Sequence, residues 1–477
     1  MSVLTDALAG SAPVRAVREA LAGHPDPIWI VGGTPRDALL GRALVDVDLA
    51  VDGDPETVAR AVARALRGPV FPLSEAFGAW RAIDRERSFR IDVSALRGPT
   101  IEDDLGRRDF AANAIAIPLE GGDPIDPHGG ARDAAAGILR VLGPDAYAQD
   151  PLRPLRLVRL ATELPLAPDR ETERLTREAA SRVTSASPER VWAELRRIVV
   201  ADRVLEGLAL ASRLGLTAAV LPELEGLRGV EQSHFHHLDV HDHTMEVLRR
   251  TIELERAPEE LFGPSAEPLA AVLDEPLGDE LTRREGLRLV ALFHDVAKPD
   301  TRTVLASGRV AFVGHDTVGE DVVTRIFRRL RSAERVRSFV AAVTRHHLKL
   351  GFLVHHRPLS RTAVYRYLSA CQPVEVEVTL FSCADRLATR GKSAERSIGA
   401  HLDLARELMA EALEWRAQGP PAAPVRGDVL AGALGLDPGP EVGELLAALR
   451  EARFAGEVAT EEEAVEYARR VRQNLAR

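Results

Sequence analysis

Cysteine is almost missing: the 477 residues contain two, Cys371 and Cys383. With no zinc-type pairing and no disulfide framework, the chain is expected in a reducing cytoplasm. Aromatic residues make up only 4% against 45% apolar residues overall. Together with long Ala/Leu/Arg/Glu stretches, this scarcity points to a soluble, largely helical protein with few strands. No run of about 18 apolar residues occurs, and no basic segment followed by an apolar one opens the chain, which argues against membrane spanning and export. An excess of positive charge is also lacking: 62 basic against 72 acidic residues leave −10. A chain so charged does not coat nucleic acid through bulk electrostatics, so any such site has to be local. The arginine-rich segments 153–159 and 325–337 are the candidates, although arginines on a helix also describe a solvated face.

The length implies two to four domains. The strand-like segments Ile28–Val31, Val45–Val51, Phe89–Val93 and Ala114–Pro118 all fall in the first 130 residues, with helical patterns between them. That mixture predicts an α/β head, a small mixed sheet with flanking helices, and from about Pro151 an all-α remainder. Ala257–Asp279 reads as an insertion in a helical domain and Gln418–Pro424 as a linker.

In Val45–Val51 the apolar side chains alternate with Asp46 and Asp48, which therefore share a strand face roughly 6.5–7 Å apart at Cα. Two such carboxylates can converge on a pair of cations about 3.5–4 Å apart, the arrangement of two-metal phosphoryl transfer. Asp92 alternates in the same way in Phe89–Val93 and is the third candidate. A solvent-facing strand would show the same alternation. Upstream, Gly32-Gly33 follows an apolar strand and leads into Thr34-Pro35-Arg36-Asp37, where Thr34 is expected to cap a helix, Pro35 to start it and Asp37 to complete the capping pattern. A glycine turn between strand and helix can present backbone N–H groups to a phosphate.

These residues carry a resemblance. GGTPRDALLG…DVDLAV is similar to the head motif of class II tRNA nucleotidyltransferases, the CCA-adding enzymes, and of the related bacterial poly(A) polymerases. The resemblance implies that Asp46 and Asp48 bind catalytic Mg²⁺. Asp92–Arg97 resembles the family's acidic strand ending in arginine. Asp104–Ala114 resembles its DLxRRDFTINA motif, with Ala111-Ala112 replacing Thr-Ile; it implies that Arg108, Asp109 and Asn113, with Arg36 and Arg97, contact triphosphate and sugar. Asp126–Gly130 resembles its DPFGG segment. Gln149-Asp150-Pro151-Leu152-Arg153…Arg156…Arg159 resembles EDPLRxLRAxR, in which an aspartate and an arginine, here Asp150 and Arg153, read the incoming base. Gln149 replaces the family's glutamate. Glu189–Leu195 resembles the ERxxxEL motif that supports the same pocket.

Further on, His294-Asp295 lies on the apolar stripe of a helix expected to end at Lys298-Pro299, accompanied by His243, His315, His346-His347 and Asp385. Imidazoles sharing an acid suit a divalent transition metal. The succession resembles the HD superfamily, which implies a metal site of His243, His294, Asp295 and Asp385, with His315 and His347 available to a second metal. Arg426–Gly443 resembles the C-terminal body of these enzymes. The resulting division is a nucleotidyltransferase head over 1–148, a helical neck over 149–230, an HD-type domain over 231–417 with its insertion at about 257–279, and a helical RNA-binding body over 425–477. The implied activity is template-independent addition of CMP and AMP, from CTP and ATP, to a tRNA 3′ end. Poly(A) synthesis and A-only or CC-only addition share these motifs and stay open; metal-dependent phosphohydrolysis at the HD site is the reading from another class.

Overall fold

The computed structural model describes residues 2–74, 78–232, 238–389 and 394–475. It divides into two compact units, Met1–Val220 and Leu221–Arg477.

The first unit is built on six strands, β1 (Ile28–Val31), β2 (Asp46–Val51), β3 (Val70–Ser74), β4 (Ala79–Ile83), β5 (Arg90–Ala95) and β6 (Ala116–Pro118), in the order β3-β4-β5-β2-β1-β6. Among the described residues of this sheet only β2 and β5 pair in parallel. Period-two alternation buries Val47, Leu49, Val51, Ile91 and Val93 on one face, where they meet Val58, Ala59, Val62 and Ala63 of helix α2 (Pro55–Leu66). Asp54 caps that helix by accepting the N–H groups of Glu56 and Thr57, with Pro55 in the first turn. The opposite face of β2 and β5 is thereby left to polar side chains.

Helix α1 (Gly33–Leu39) departs from expectation. It begins at Gly33, and the Thr34 hydroxyl caps nothing: it accepts the N–H of Asp48 and donates to the carbonyl of Asp46, fastening the helix to β2. Asp37 accepts from Arg36 rather than completing a cap. Helices α3 (Pro144–Gln149), α4 (Arg153–Glu163) and α5 (Pro188–Val200) follow, with α4 packed on α5.

In the second unit, α6 (Val240–Arg256), α7 (Arg283–Phe293), α8 (His315–Arg329), α9 (Glu334–His346), α10 (Glu375–Ala388) and α11 (Ala394–Gln418) form the helical frame. Asp239 caps α6, and Glu285 accepts the N–H and hydroxyl of Thr282 at the start of α7. The segment read as an insertion, Ala257–Asp279, contains helices Pro258–Phe262 and Ala266–Leu273. A hairpin of Arg302–Val304 and Val310–Phe312 interrupts the all-α pattern. Helices Gly427–Leu434, Pro440–Ala455 and Glu461–Leu475 close around their own core of Leu430, Leu445, Leu449, Ala464 and Ala468. No helix among the described residues is long and apolar enough to cross a membrane.

Candidate active site and metal centre

The parallel register sets Asp48 opposite Asp92 and Asp46 opposite Arg90. All three carboxylates line one cavity of about 550 Å³ together with Gly32, Gly33, Arg36, Arg97, Arg108, Asp109, Asn113, Arg153, Arg156 and Arg159. Asp150 does not line it.

Each carboxylate is held differently. Asp46 accepts from Arg90 Nε at 2.6 Å, and Asp92 takes two bonds of 2.7 Å from Arg81. Asp48 accepts the Gly33 N–H at 2.9 Å. That N–H was expected to face a phosphate; it is spent on orienting a carboxylate instead. Burial, reinforced by the charge of Asp92, holds the Asp48 carboxyl above the ordinary range against the pull of Gly33, Arg108 and Arg36. The preceding glycine is required: Gly32 has φ +70°, and a Cβ there would meet Asp48 Oδ2 at 2.7 Å.

Behind the carboxylates, charges alternate across the cavity wall. Arg36 donates to Asn113 Oδ1 at 2.6 Å, Asn113 Nδ2 donates to Asp109 at 2.9 Å, and Arg156 reaches Asp109 Oδ2 at 3.2 Å and Glu194 at 3.3 Å. Arg159 joins Glu194 to Glu163, which also pairs with Arg197. Burial works against the Asp109 charge, but Arg156, Asn113, Arg153 and the Phe110 N–H outweigh it and bring its pKa down to about 2. Arg108 is clamped by Asp104 at 2.7 Å.

Arg153 is buried, its guanidinium donating to the carbonyls of Arg107, Arg108 and Ala146, with no partner for Nε among the described residues. Asp150 lies in the junction between α3 and α4, where it accepts the Leu152 N–H and a 2.7 Å bond from Arg190 of α5. Arg81 and Arg90 were not singled out from sequence, and Arg190 only as part of the Glu189–Leu195 motif. The strand alternation marked the aspartates, but their partners follow from strand order and helix packing.

In the second unit, His243, His294, Asp295, His315, His347 and Asp385 converge. Two sets, His243/His294/Asp295 and Asp295/His315/His347, each bring three ligand atoms within 4.8 Å of one another. Asp295 is common to both: Oδ2 lies 3.1 Å from His294 Nε2 and 3.7 Å from His243 Nε2, and Oδ1 lies 3.3 Å from His315 Nε2 and 4.0 Å from His347 Nε2. Asp385 adds Oδ1 at 3.1 Å from His243. His294, His315 and His347 bond through Nδ1 to the carbonyls of Ala291, Phe312 and Thr344 at 3.0, 2.7 and 2.6 Å. A carbonyl only accepts, so Nδ1 carries the proton and Nε2 faces the cluster. Among the described residues, His294 Nε2 and His315 Nε2 are buried with no well-aligned hydrogen bond, only the Asp295 carboxylate nearby. Burial, with the neighbouring imidazoles, pushes His347 down to about 4, which keeps it neutral as a ligand must be.

Helix α7 ends at Phe293, with His294 as its C-cap, one turn earlier than the sequence suggested. Lys298 does more than mark a helix end, because its ammonium sits 2.6 Å from Asp295 Oδ2. His346 belongs to neither ligand set. A cavity of about 530 Å³ beside the cluster is lined by Lys298, Arg386, Ser382, His401, Phe312 and Phe352 as well as Asp295, His315, His347 and Asp385. Both cysteines are buried and free, their thiols pushed up to about 12 by burial, which leaves them unreactive.

A small mixed sheet that presents three carboxylates to an arginine-lined cavity has the build of a nucleotidyl-transfer site, and here it is joined to a helical metal-ligand cluster. Comparison with known proteins agrees. Family models described as the poly(A) polymerase head domain, the probable RNA- and SrmB-binding site of polymerase A, and the HD domain match residues 28–140, 166–227 and 240–390. An A-adding tRNA nucleotidyltransferase of Deinococcus radiodurans is 35% identical over 95% of this chain and 97% of its own. A CC-adding tRNA nucleotidyltransferase of Thermus thermophilus is 36% identical over 92% of both. The fold is similar to that of a Thermotoga maritima CCA-adding enzyme solved in complex with tRNA, at TM-score 0.60 and 20% identity over 98% of this chain and 97% of that one. The chain belongs to the tRNA nucleotidyltransferase family.

Proposed function

We propose that the protein adds CMP and AMP from CTP and ATP to the 3′ end of tRNA, without a nucleic-acid template. The observation that carries this reading is the convergence of Asp46, Asp48 and Asp92 on one cavity whose wall is otherwise arginine and its partners. The donor set fits Mg²⁺: three carboxylates share a face, and the Asp48 carboxyl is raised in part by its neighbour Asp92, a strain that a cation between them relieves. Bound there by Asp46 and Asp48, with Asp92 alongside, two cations would supply charge stabilisation for the triphosphate and activation of the attacking hydroxyl.

The chain's own residues do the rest. Gly32 gives close access to Asp48, Arg97 and Arg108 supply positive charge at the phosphates, and the chain Arg36–Asn113–Asp109–Arg156 holds its donors fixed before substrate arrives. The motif assigns base selection to Asp150 and Arg153, which are held here by Arg190 and by the carbonyls of Arg107, Arg108 and Ala146, so reading a base requires these bonds to give way. A carboxylate acceptor and a guanidinium donor match the amino group and ring nitrogen that cytosine and adenine share. Arg190 keeps Asp150 in place, and Arg190→Ala should raise the KM for CTP and ATP about fivefold, the scale of a half-exposed ion pair, with kcat nearly unchanged and Arg190→Lys partly restoring it. Steady-state kinetics on a tRNA primer check this.

Relatives of A-adding and CC-adding type match the chain to nearly the same degree. Together with Gln149 in place of the family's glutamate, this makes a partial activity the second reading. The HD residues His243, His294, Asp295, Asp385, His315 and His347 would hold divalent transition cations, with Asp295 a member of both ligand sets. Hydrolysis at that cluster as the main activity, with the head reduced to RNA binding, is disfavoured by the completeness of the head: a relic site need not keep its carboxylates, Arg108, Asp109 and Asn113 together. The proposed activity is tested by pyrophosphate release, expected only when Mg²⁺, a tRNA lacking its terminal CCA and CTP or ATP are all present. Release of inorganic phosphate from nucleotides without RNA, and no pyrophosphate, would contradict it.

A further inference from the structure

The chain carries a charge of −10, so a long polyanion is repelled except where basic residues gather without compensation. In the head, the arginines of the cavity are engaged by Asp104, Asp109, Glu163 and Glu194. Residues 425–477 hold ten acidic against seven basic residues. The corner joining α8 to α9 is different. Residues 321–337 contain six arginines and two acids, Asp321 and Glu334.

Arg325, Arg328, Arg329, Arg331 and Arg335 are all exposed. Arg329 pairs with Glu223 and Arg337 with Glu334. Among the described residues no ion pair joins Arg325, Arg328 or Arg335 to a carboxylate. Ordinary helix electrostatics account for only part of this. Arg328 and Arg329 occupy the last turn of α8, where the dipole favours cations. Arg335 sits near the start of α9, where it is disfavoured. Arg325 stands three residues before Arg328, so like charges repel along one helix face. A surface that keeps this repulsion unneutralised is suited to an external anion with closely spaced charges.

We infer that the α8–α9 corner binds the phosphate backbone of the RNA substrate, through Arg325, Arg328 and Arg335. This rests on the tRNA reading above. Each phosphate neutralised by an arginine releases condensed counterions, so the affinity should fall with salt more steeply than the active site alone would make it.

The test compares the full-length protein with Arg325→Glu/Arg328→Glu/Arg335→Glu and with the corresponding triple lysine variant, using a tRNA transcript that lacks CCA. The glutamate variant should bind the transcript at least tenfold more weakly at about 0.1 M salt, and the slope of log K against log[salt] should shrink by about 2 to 3, at roughly 0.9 for each phosphate that is no longer neutralised. The KM for CTP and kcat at saturating tRNA should stay at the wild-type values, and the lysine variant should keep most of the affinity. Unchanged affinity and slope in the glutamate variant would overturn the inference and leave the corner to an acidic protein partner or to solvent. Equal loss in the lysine variant would also overturn it, because loss of shape rather than charge would then be the cause. Nucleotide addition by the wild type serves as the separate control: its absence would sink the tRNA reading, whereas its presence with unaltered RNA binding in the variant sinks only this inference.

Discussion

Asp48→Asn should reduce nucleotide incorporation by about 10³-fold or more, the scale on which loss of a preorganised electrostatic group is felt, while the melting temperature stays close to that of the wild type. The two halves of this expectation have separate structural causes. The side-chain oxygen of asparagine can still accept the Gly33 N–H that Asp48 accepts at 2.9 Å, so the turn between β1 and α1 keeps its fastening, which also runs through Thr34. The lost charge is the one that burial and Asp92 already strain, and a cation can no longer exploit that strain. Asp46→Asn should act in the same direction, because Asp46 contributes from the same strand face and, among the described residues, is otherwise held by Arg90. Single-turnover incorporation of a labelled nucleotide, alongside thermal melts, measures both. A variant that keeps a rate within tenfold of the wild type would remove Asp48 from the catalytic role.

Asp295→Asn should lose two bound transition cations per chain relative to the wild type, whereas His243→Ala and His347→Ala should each lose one. Asp295 is the shared member of both ligand sets, presenting one oxygen to each. The wild-type protein should also melt higher with metal than after chelation. Binding at a free concentration 100 times the Kd stabilises by about 2.7 kcal/mol, a shift readily seen by calorimetry. Metal titration with Mn²⁺ or Co²⁺ of chelator-treated protein counts the sites. Equal stoichiometry in Asp295→Asn and wild type would mean that the cluster is a buried hydrogen-bonded core and no more. Nucleotide transfer should survive all three substitutions, because the two clusters belong to separate compact units.

The parts of this structure that were legible in the sequence are those dictated by short-range periodicity. Alternation in Val45–Val51 and Phe89–Val93 located β2 and β5 and placed Asp46, Asp48 and Asp92 on one face. β3 escaped notice because Pro72 interrupts it. A proline is tolerated there since β3 is the edge of the sheet, a property of strand order rather than of the segment. β4 was missed for another reason: Trp80 and Ala82 face the core, but alanine, at 79 and 82, has low strand propensity and does not mark an apolar face. Thr34 looked like a cap from its neighbours along the chain, and the partner it actually serves lies on β2.

The same limit applies to the sites. Histidines and aspartates announced the HD cluster by their chemistry, and the structure brings all six together. Arg81, Arg90 and Lys298 carry no such signature, and Arg190 was named only within a motif. Each acquires its role from an acid far away or one turn off along the chain, through register for Arg81 and Arg90, helix packing for Arg190 and a local turn for Lys298.

The central claim is most directly tested by product length. The purified protein with Mg²⁺ is given tRNAs that end before CCA, after the first C and after both Cs, with CTP, ATP or both, and the products are resolved at single-nucleotide length. The account predicts stepwise growth that stops at CCA when both nucleotides are present and disappears in Asp46→Ala/Asp48→Ala. Growth confined to C or to A would place the chain with its CC-adding or A-adding relatives and identify selection at Asp150 and Arg153 as the step to revise. No extension of any primer would contradict the claim that this head transfers nucleotides.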